Sequence, residues 1–183
     1  KEPVWHSDVR SFEMHQNGKL KGRFYLDLFP RKNKYQHAAS FPMNGGKMLD
    51  GVYQIPQNTL VCNFPVATAD KPSLLPHNDV VTFFHEFGHL AHSLSTVADL
   101  RGQSGTNVAR DFVETPSQLF EHWAWEYDSL KLFAKHYQTG ELLPLELQQK
   151  MLAAKNVGSG LHILQQIFYG TIDMTLHDKY EPD

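Results

Sequence analysis

The sequence predicts an α+β fold: a small, mostly antiparallel sheet followed by a bundle of helices. Two observations predict it. Residues 1–77 carry two-residue alternation with hairpin punctuation, whereas from residue 78 onward apolar residues recur every three to four positions. The two patterns follow one another without interleaving, which separates strands from helices along the chain. With 183 residues the chain is long enough for one sizeable core, so a single domain over 1–183 is expected, with a strand-rich part at 1–77 and a helical part at 78–183.

The elements follow in order. Val9 to Met14 alternates loosely and Gly22 to Phe29 resumes a strand pattern; Asn17-Gly18 between them is a hairpin signal. Pro30 and the basic turn Arg31-Lys32-Asn33-Lys34 end the second strand. Residues 37–43 read as a short edge strand, because Pro42 is tolerated at an edge and not centrally. Thr59 to Phe64 is the fourth strand, closed by Pro65. A helix is expected over residues 78–95, started by Asn78 or Asp79 after Pro76, with Val80, Val81, Phe84, Phe87, Leu90, Ala91 and Leu94 as its apolar stripe. Arg101 to Asn107 is polar and Gly-rich, hence a loop.

A second helix is expected from near Asp111 to about Tyr137. Its start is ambiguous: Asp111 with Glu114 fits a capping box, and so does Thr115 with Pro116 and Gln118. Leu145 to Lys155 makes a third helix. After the break at Gly158-Ser159-Gly160, Leu161 to Lys179 makes a fourth, with Leu161, Leu164, Ile167, Phe168, Ile172 and Leu176 on its apolar face.

Composition narrows the function classes. A net charge of −3 gives no basic footprint for nucleic acid, so no nucleic-acid partner is expected. No apolar run approaches the roughly 18–20 residues that span a bilayer, and Lys1-Glu2-Pro3-Val4-Trp5 has no apolar signal region, so no membrane partner is expected either. Cys62 is the sole cysteine, which rules out an internal disulfide and favours a reducing, cytoplasmic setting. The chain has no initiator Met and opens in mid-pattern, as a fragment of a longer protein would.

The chemistry concentrates in His85-Glu86-Phe87-Gly88-His89, an H-E-x-x-H pentad on the 78–95 helix. Histidines four apart on a helix lie about 40° apart around the axis and one turn along, so both rings can reach one metal ion. Glu86 lies about 100° from His85, flanking that site without ligating it. Gly88 costs about 1 kcal/mol relative to Ala in a helix, so something is expected to approach the backbone closely there. The competing reading is a core helix with incidental histidines in a chain that holds 11.

A catalytic zinc takes three protein ligands and keeps an open position for water. The pattern in which a Gly and a third His follow the pentad is absent, because His92 and Ser95 stand at those positions. A carboxylate from the next helix is the alternative. Glu114 is the first candidate and Glu121 and Glu126 are further ones; Glu121 is better placed to orient a ligand histidine, against a competing reading as a solvated helix charge. His92 falls on the same side of the helix and is read as a buried structural histidine.

His85-Glu86-Phe87-Gly88-His89-Leu90-Ala91-His92, then Ser104-Gly105-Thr106, then Arg110 to Gln118 with Glu114 inside it, closely resemble the M3 family of zinc oligopeptidases. Val4 to Arg10 and Phe24 to Leu28 look like that family too. The resemblance implies a zincin-type helical bundle carrying the pentad helix, one Zn2+ per chain bound by His85, His89 and Glu114, and Glu86 as the catalytic base. It implies hydrolysis of peptide bonds in oligopeptide substrates. Members of the family are several times longer, with a helical channel region before this segment and a Gly- and Tyr-rich substrate-holding stretch beyond the position of Asp183. The chain is therefore expected to be the central part of a catalytic domain, with a non-catalytic zinc-binding scaffold as the competing reading.

Overall fold

A computed structural model describes residues 3–179. The chain forms two compact units, Lys1–Leu132 and Phe133–Asp183. The first unit holds a four-stranded sheet in the order β1-β2-β6-β3, built from β1 (Arg10–Gln16), β2 (Lys19–Asp27), β3 (Ala39–Asn44) and β6 (Gln57–Val61). β1 and β2 form the expected hairpin. Asn17 (φ 51°) and Gly18 (φ 73°) supply the two left-handed positions that such a two-residue turn requires.

A second hairpin, β4 (Lys47–Leu49) with β5 (Val52–Gln54), was not anticipated. Asp50 (φ 50°) and Gly51 (φ 79°) turn it in the same way. The sheet is mixed: β1–β2 and β3–β6 are antiparallel, but β2 and β6 run parallel, because β3 and the small hairpin lie between them in sequence. The expectation of α+β holds, and β3 is the edge strand foreseen from Pro42.

β6 is the central strand and is buried along four of its five residues. Leu60, Cys62 and Phe64 meet Leu90 and Leu94 of α1 (His77–Leu94), ringed by Phe24, Leu26, Phe83 and Phe87. Phe83, Phe87, Leu90 and Leu94 are spaced by four, three and four residues and make one stripe that seats α1 on the sheet. The helix therefore turns its opposite side, with His85 and His89, away from the core.

The expected long second helix is broken. Residues 110–114 form turns, α2 spans Thr115–Glu121, a 3-10 turn covers His122–Ala124, and α3 spans Tyr127–Phe133. Of the two possible starts, the one at Thr115-Pro116 prevails: Pro116 lies in the first turn and Glu114 at the cap. The break is held by His77, whose Nε2 lies 2.8 Å from the Ala124 carbonyl oxygen and whose ring meets Trp125 edge-on.

In the second unit, Lys135 bridges Leu142 across a turn at Gly140 (φ 76°), and α4 spans Leu145–Lys155. Gly158 (φ 76°) then breaks the chain before α5 (Ser159–Met174), which ends in a π-turn at Thr175–Lys179. The anticipated apolar face of α5 forms, but Leu161, Leu164, Ile167, Phe168, Ile172 and Leu176 are exposed.

Candidate metal centre

α1 stacks His85 above His89, with ring centroids 4.9 Å apart and the planes nearly perpendicular. Glu114, at the cap of α2, closes the group: its Oε2 lies 3.3 Å from His85 Nε2 and 3.1 Å from His89 Nε2. One ligand atom from each of the three residues falls within 4.8 Å of the others. Ligand atoms at ordinary zinc distances in a tetrahedron lie about 3.3–3.4 Å apart, so the two measured edges and the two-nitrogen, one-oxygen donor set fit a zinc ion.

Two of the three donors, Glu114 and His85, are held from behind. Ser117 Oγ lies 2.8 Å from both the carbonyl oxygen and Oε2 of Glu114, and it is wholly buried. That hydrogen bond, together with the nearby histidines, outweighs burial and lowers the Glu114 carboxyl below the usual carboxylate range. Glu121 Oε1 lies 2.7 Å from His85 Nδ1. An Nδ1–H donated to that carboxylate leaves Nε2 as the lone-pair donor toward the centre. Burial lowers the pKa of His89 despite the opposing pull of Glu114, which favours its neutral, ligating form. Its Nδ1 has no hydrogen-bond partner among the described residues.

Gly88 makes the closeness of α1 and α2 possible. A Cβ there would stand 2.5 Å from Ser117 Cα and 2.6 Å from the Pro116 oxygen. The close approach inferred from a helical glycine is thus that of the α2 backbone.

Glu86 is buried beside this group at 9% exposure. Burial raises its pKa, and Glu114 adds to the rise; His85 and a hydrogen bond from the Ser40 backbone N–H oppose it. Ser40 belongs to edge strand β3, so the sheet edge and the glutamate meet at one place. His92 sits apart, its ring against Phe112 at 6.0 Å and its pKa lowered by burial. Glu126 is not part of the three-residue group. Sequence reasoning placed Ser40 on an edge strand but missed its bond to Glu86, and it missed the support from Ser117, since a backbone N–H and a hydroxyl three residues after Glu114 carry no recognisable motif.

Residues 1–183 match peptidase family M3. The chain is 46% identical over 183 residues to oligopeptidase A of Escherichia coli (strain K12), covering 98% of this chain and 27% of that protein. It is 45% identical over 179 residues to a thimet-like oligopeptidase of Dictyostelium discoideum, covering 94% and 27%. It is 44% identical over 175 residues to a mitochondrial intermediate peptidase of Arabidopsis thaliana, covering 94% and 25%. The chain thus spans about a quarter of the length of these relatives. A match along its whole length, carried by relatives that are themselves named as peptidases, makes this chain a member of peptidase family M3.

Proposed function

We propose that the protein is a zinc metallopeptidase acting on short oligopeptides, with His85, His89 and Glu114 as ligands of one zinc ion and Glu86 as general base. The observation that carries this reading is the convergence of three ligand atoms within 4.8 Å, beside a buried glutamate on the same helix. Bound there, zinc supplies Lewis acidity, polarising the scissile carbonyl and bringing the pKa of water toward about 7.

The remaining work falls to the chain. The Glu86 carboxylate takes a proton from the attacking water and returns it to the leaving amine nitrogen. Its raised pKa makes it a stronger base than an exposed glutamate. The Ser40 N–H fixes one of its lone pairs, so the carboxylate is oriented before substrate arrives. β3 has a free side at the sheet edge, to which an extended peptide adds by backbone hydrogen bonds. On this reading the chain is a part of a zincin-type catalytic domain. The buried, unpaired Cys62 agrees with a cytoplasmic setting, while the named relatives include a mitochondrial enzyme.

The test combines metal analysis with hydrolysis of a quenched-fluorescent oligopeptide by the parent and by Glu86→Gln. One zinc per chain in both proteins, with turnover reduced about 10²–10⁴-fold in the variant, is the expected result. Stoichiometric zinc with equal turnover removes Glu86 from the mechanism, and absence of bound metal removes the site.

A further inference from the structure

The metal group and Glu86 leave one built feature of the first unit unused. A cavity of about 210 Å³ lies between the end of β3 and the loop after α1, lined by Asn44, Gly45, Ser93, Arg101, Gly105 and Thr106 among others. Arg101 is its sole charged residue, no carboxylate lines it, and Arg101 has no ion-pair partner among the described residues. Ser93 is 4% exposed, yet its Oγ finds no hydrogen-bond partner among the described residues. A buried hydroxyl left unpaired costs about 1–3 kcal/mol.

The cavity is shaped by glycines. A Cβ on Gly45 would stand 3.0 Å from Arg101 Cγ and 3.5 Å from Ser104 Oγ; on Gly105, at φ 59°, it would stand 3.1 Å from Ser93 Cα. Asn107 fixes the loop by donating from Nδ2 to the carbonyl oxygens of Arg101 and Ser104, at 3.2 and 2.9 Å. The loop is thus tied down at this point, and the cavity lining carries the Arg101 side chain and the buried Ser93 hydroxyl with no carboxylate among its residues.

Position ties this cavity to the metal group. Ser93 follows Glu86 by seven residues, two helical turns, which places both on the side of α1 that meets β3, about 10 Å apart. Along β3, Ser40, bonded to Glu86, and Asn44 at the cavity stand four residues apart, about 13 Å if fully extended and less across the irregularity between Pro42 and Asn44. The two lengths correspond to about three to four residues of extended peptide.

We propose that this cavity is a carboxylate subsite, in which Arg101 and Ser93 bind a carboxylate of the peptide about three residues from the cleaved bond. The carboxylate is either the chain terminus or an Asp or Glu side chain. The proposal rests on the peptidase reading above.

The test uses one oligopeptide, prepared as its free acid and as its amide, together with amides carrying Asp or Asn three residues from the bond expected to be cleaved. The ratio of kcat/KM between carboxylate and neutral forms is expected to be about tenfold or more. It is expected to fall to about one in Arg101→Met and to recover in part in Arg101→Lys, with thermal melts confirming that each variant is folded. Preference for the acid alone assigns a terminal carboxylate, and preference for Asp assigns a side chain. A ratio near one in the parent, or one unchanged in Arg101→Met, overturns the subsite while leaving the peptidase reading intact. Titration of Glu86→Gln with the same peptides separates the two claims. Tighter binding of the carboxylate forms without turnover by the parent supports the subsite and defeats the peptidase reading. Equal binding of all forms, with only inorganic phosphate or acetate held, overturns the subsite.

Discussion

His85 Nδ1 and Glu121 Oε1 lie 2.7 Å apart, while Nε2 of the same ring faces Glu114. One carboxylate therefore sets the tautomer and the ring angle of a histidine that, on the proposed reading, another carboxylate would join at the metal. His89 has no such support, its Nδ1 being buried and unpartnered among the described residues. Removing Glu121 therefore removes the one histidine support in the group. Glu121→Ala is expected to weaken zinc binding about 10–100-fold, measured by competition with a chromophoric chelator, with Glu121→Gln falling between. Unchanged affinity would return Glu121 to the role of a solvated helix charge.

Gly88→Ala sets two effects of opposite sign against each other. Helix propensity favours Ala by about 1 kcal/mol. The new methyl, however, would stand 2.5 Å from Ser117 Cα, a backbone atom that cannot swing aside, so the helices must separate. Overpacking of this kind costs about 1–3 kcal/mol or more. The clash wins: thermal melts should show a Tm lowered by about 3–8 °C. Zinc affinity should fall as well, because Ser117 and Glu114 move with α2.

The fold and site were legible where local chemistry decides them. Asn17-Gly18, the pentad and the break at Gly158 each act within a few residues and stand where the pattern placed them, whereas of the anticipated α1 stripe only Phe87, Leu90 and Leu94 reach the core, joined by Phe83. The Asp50-Gly51 turn carried the same signal as Asn17-Gly18 but joins strands of only three residues, too short to show alternation. The parallel pairing of β2 with β6 depends on how a long connection returns, which no local pattern encodes. The break after Glu121 was hidden because its residues are ordinary helix formers; the tie from His77 to Ala124 across 47 positions decides it. The two candidate histidine ligands were readable from spacing and Glu114 was the first of three candidate carboxylates, singled out by the family resemblance, whereas Ser117 and the Ser40 N–H act through tertiary contact alone.

Cys62 is fully buried, and burial first, then the nearby Glu86 charge, pushes its thiol up to about 12. The thiolate is the reacting form, so at pH 8 its population is about three orders of magnitude below that of an ordinary cysteine. Labelling with a thiol reagent should proceed at that retarded rate or slower in the native protein. In denaturant, one equivalent should react rapidly. Fast native labelling would show that the β6 end opens readily and that the core beneath α1 is loose there.

The last prediction concerns the ion cluster that closes the sheet. Asp27, at the end of β2, is 3% exposed and takes two hydrogen bonds from Arg31, at 2.6 and 2.8 Å, and one from Trp5 at 3.0 Å. Lys34 Nζ lies 2.9 Å from its Oδ1 and also donates to the carbonyl oxygens of Asp27, Phe29 and Cys62, at 2.8, 2.7 and 2.6 Å. Burial alone would raise the Asp27 pKa, but the bonds from Arg31, Lys34 and Trp5 outweigh it and hold the carboxyl well below the usual carboxylate range. Asp27→Asn keeps the shape and removes the charge, leaving two cations unbalanced, one of them buried. The expected cost is about 3–5 kcal/mol, read as a shift in urea midpoint at neutral pH. Since the folded pKa is depressed, the unfolded chain binds more protons below its own pKa of about 3.9, and unfolding is favoured as pH falls. The stability gap between parent and variant should hold from pH 8 to about 5 and then narrow toward pH 3. A gap that stays constant to pH 3 would show that the charge on Asp27 contributes nothing, and that the carboxylate serves the cluster through shape alone.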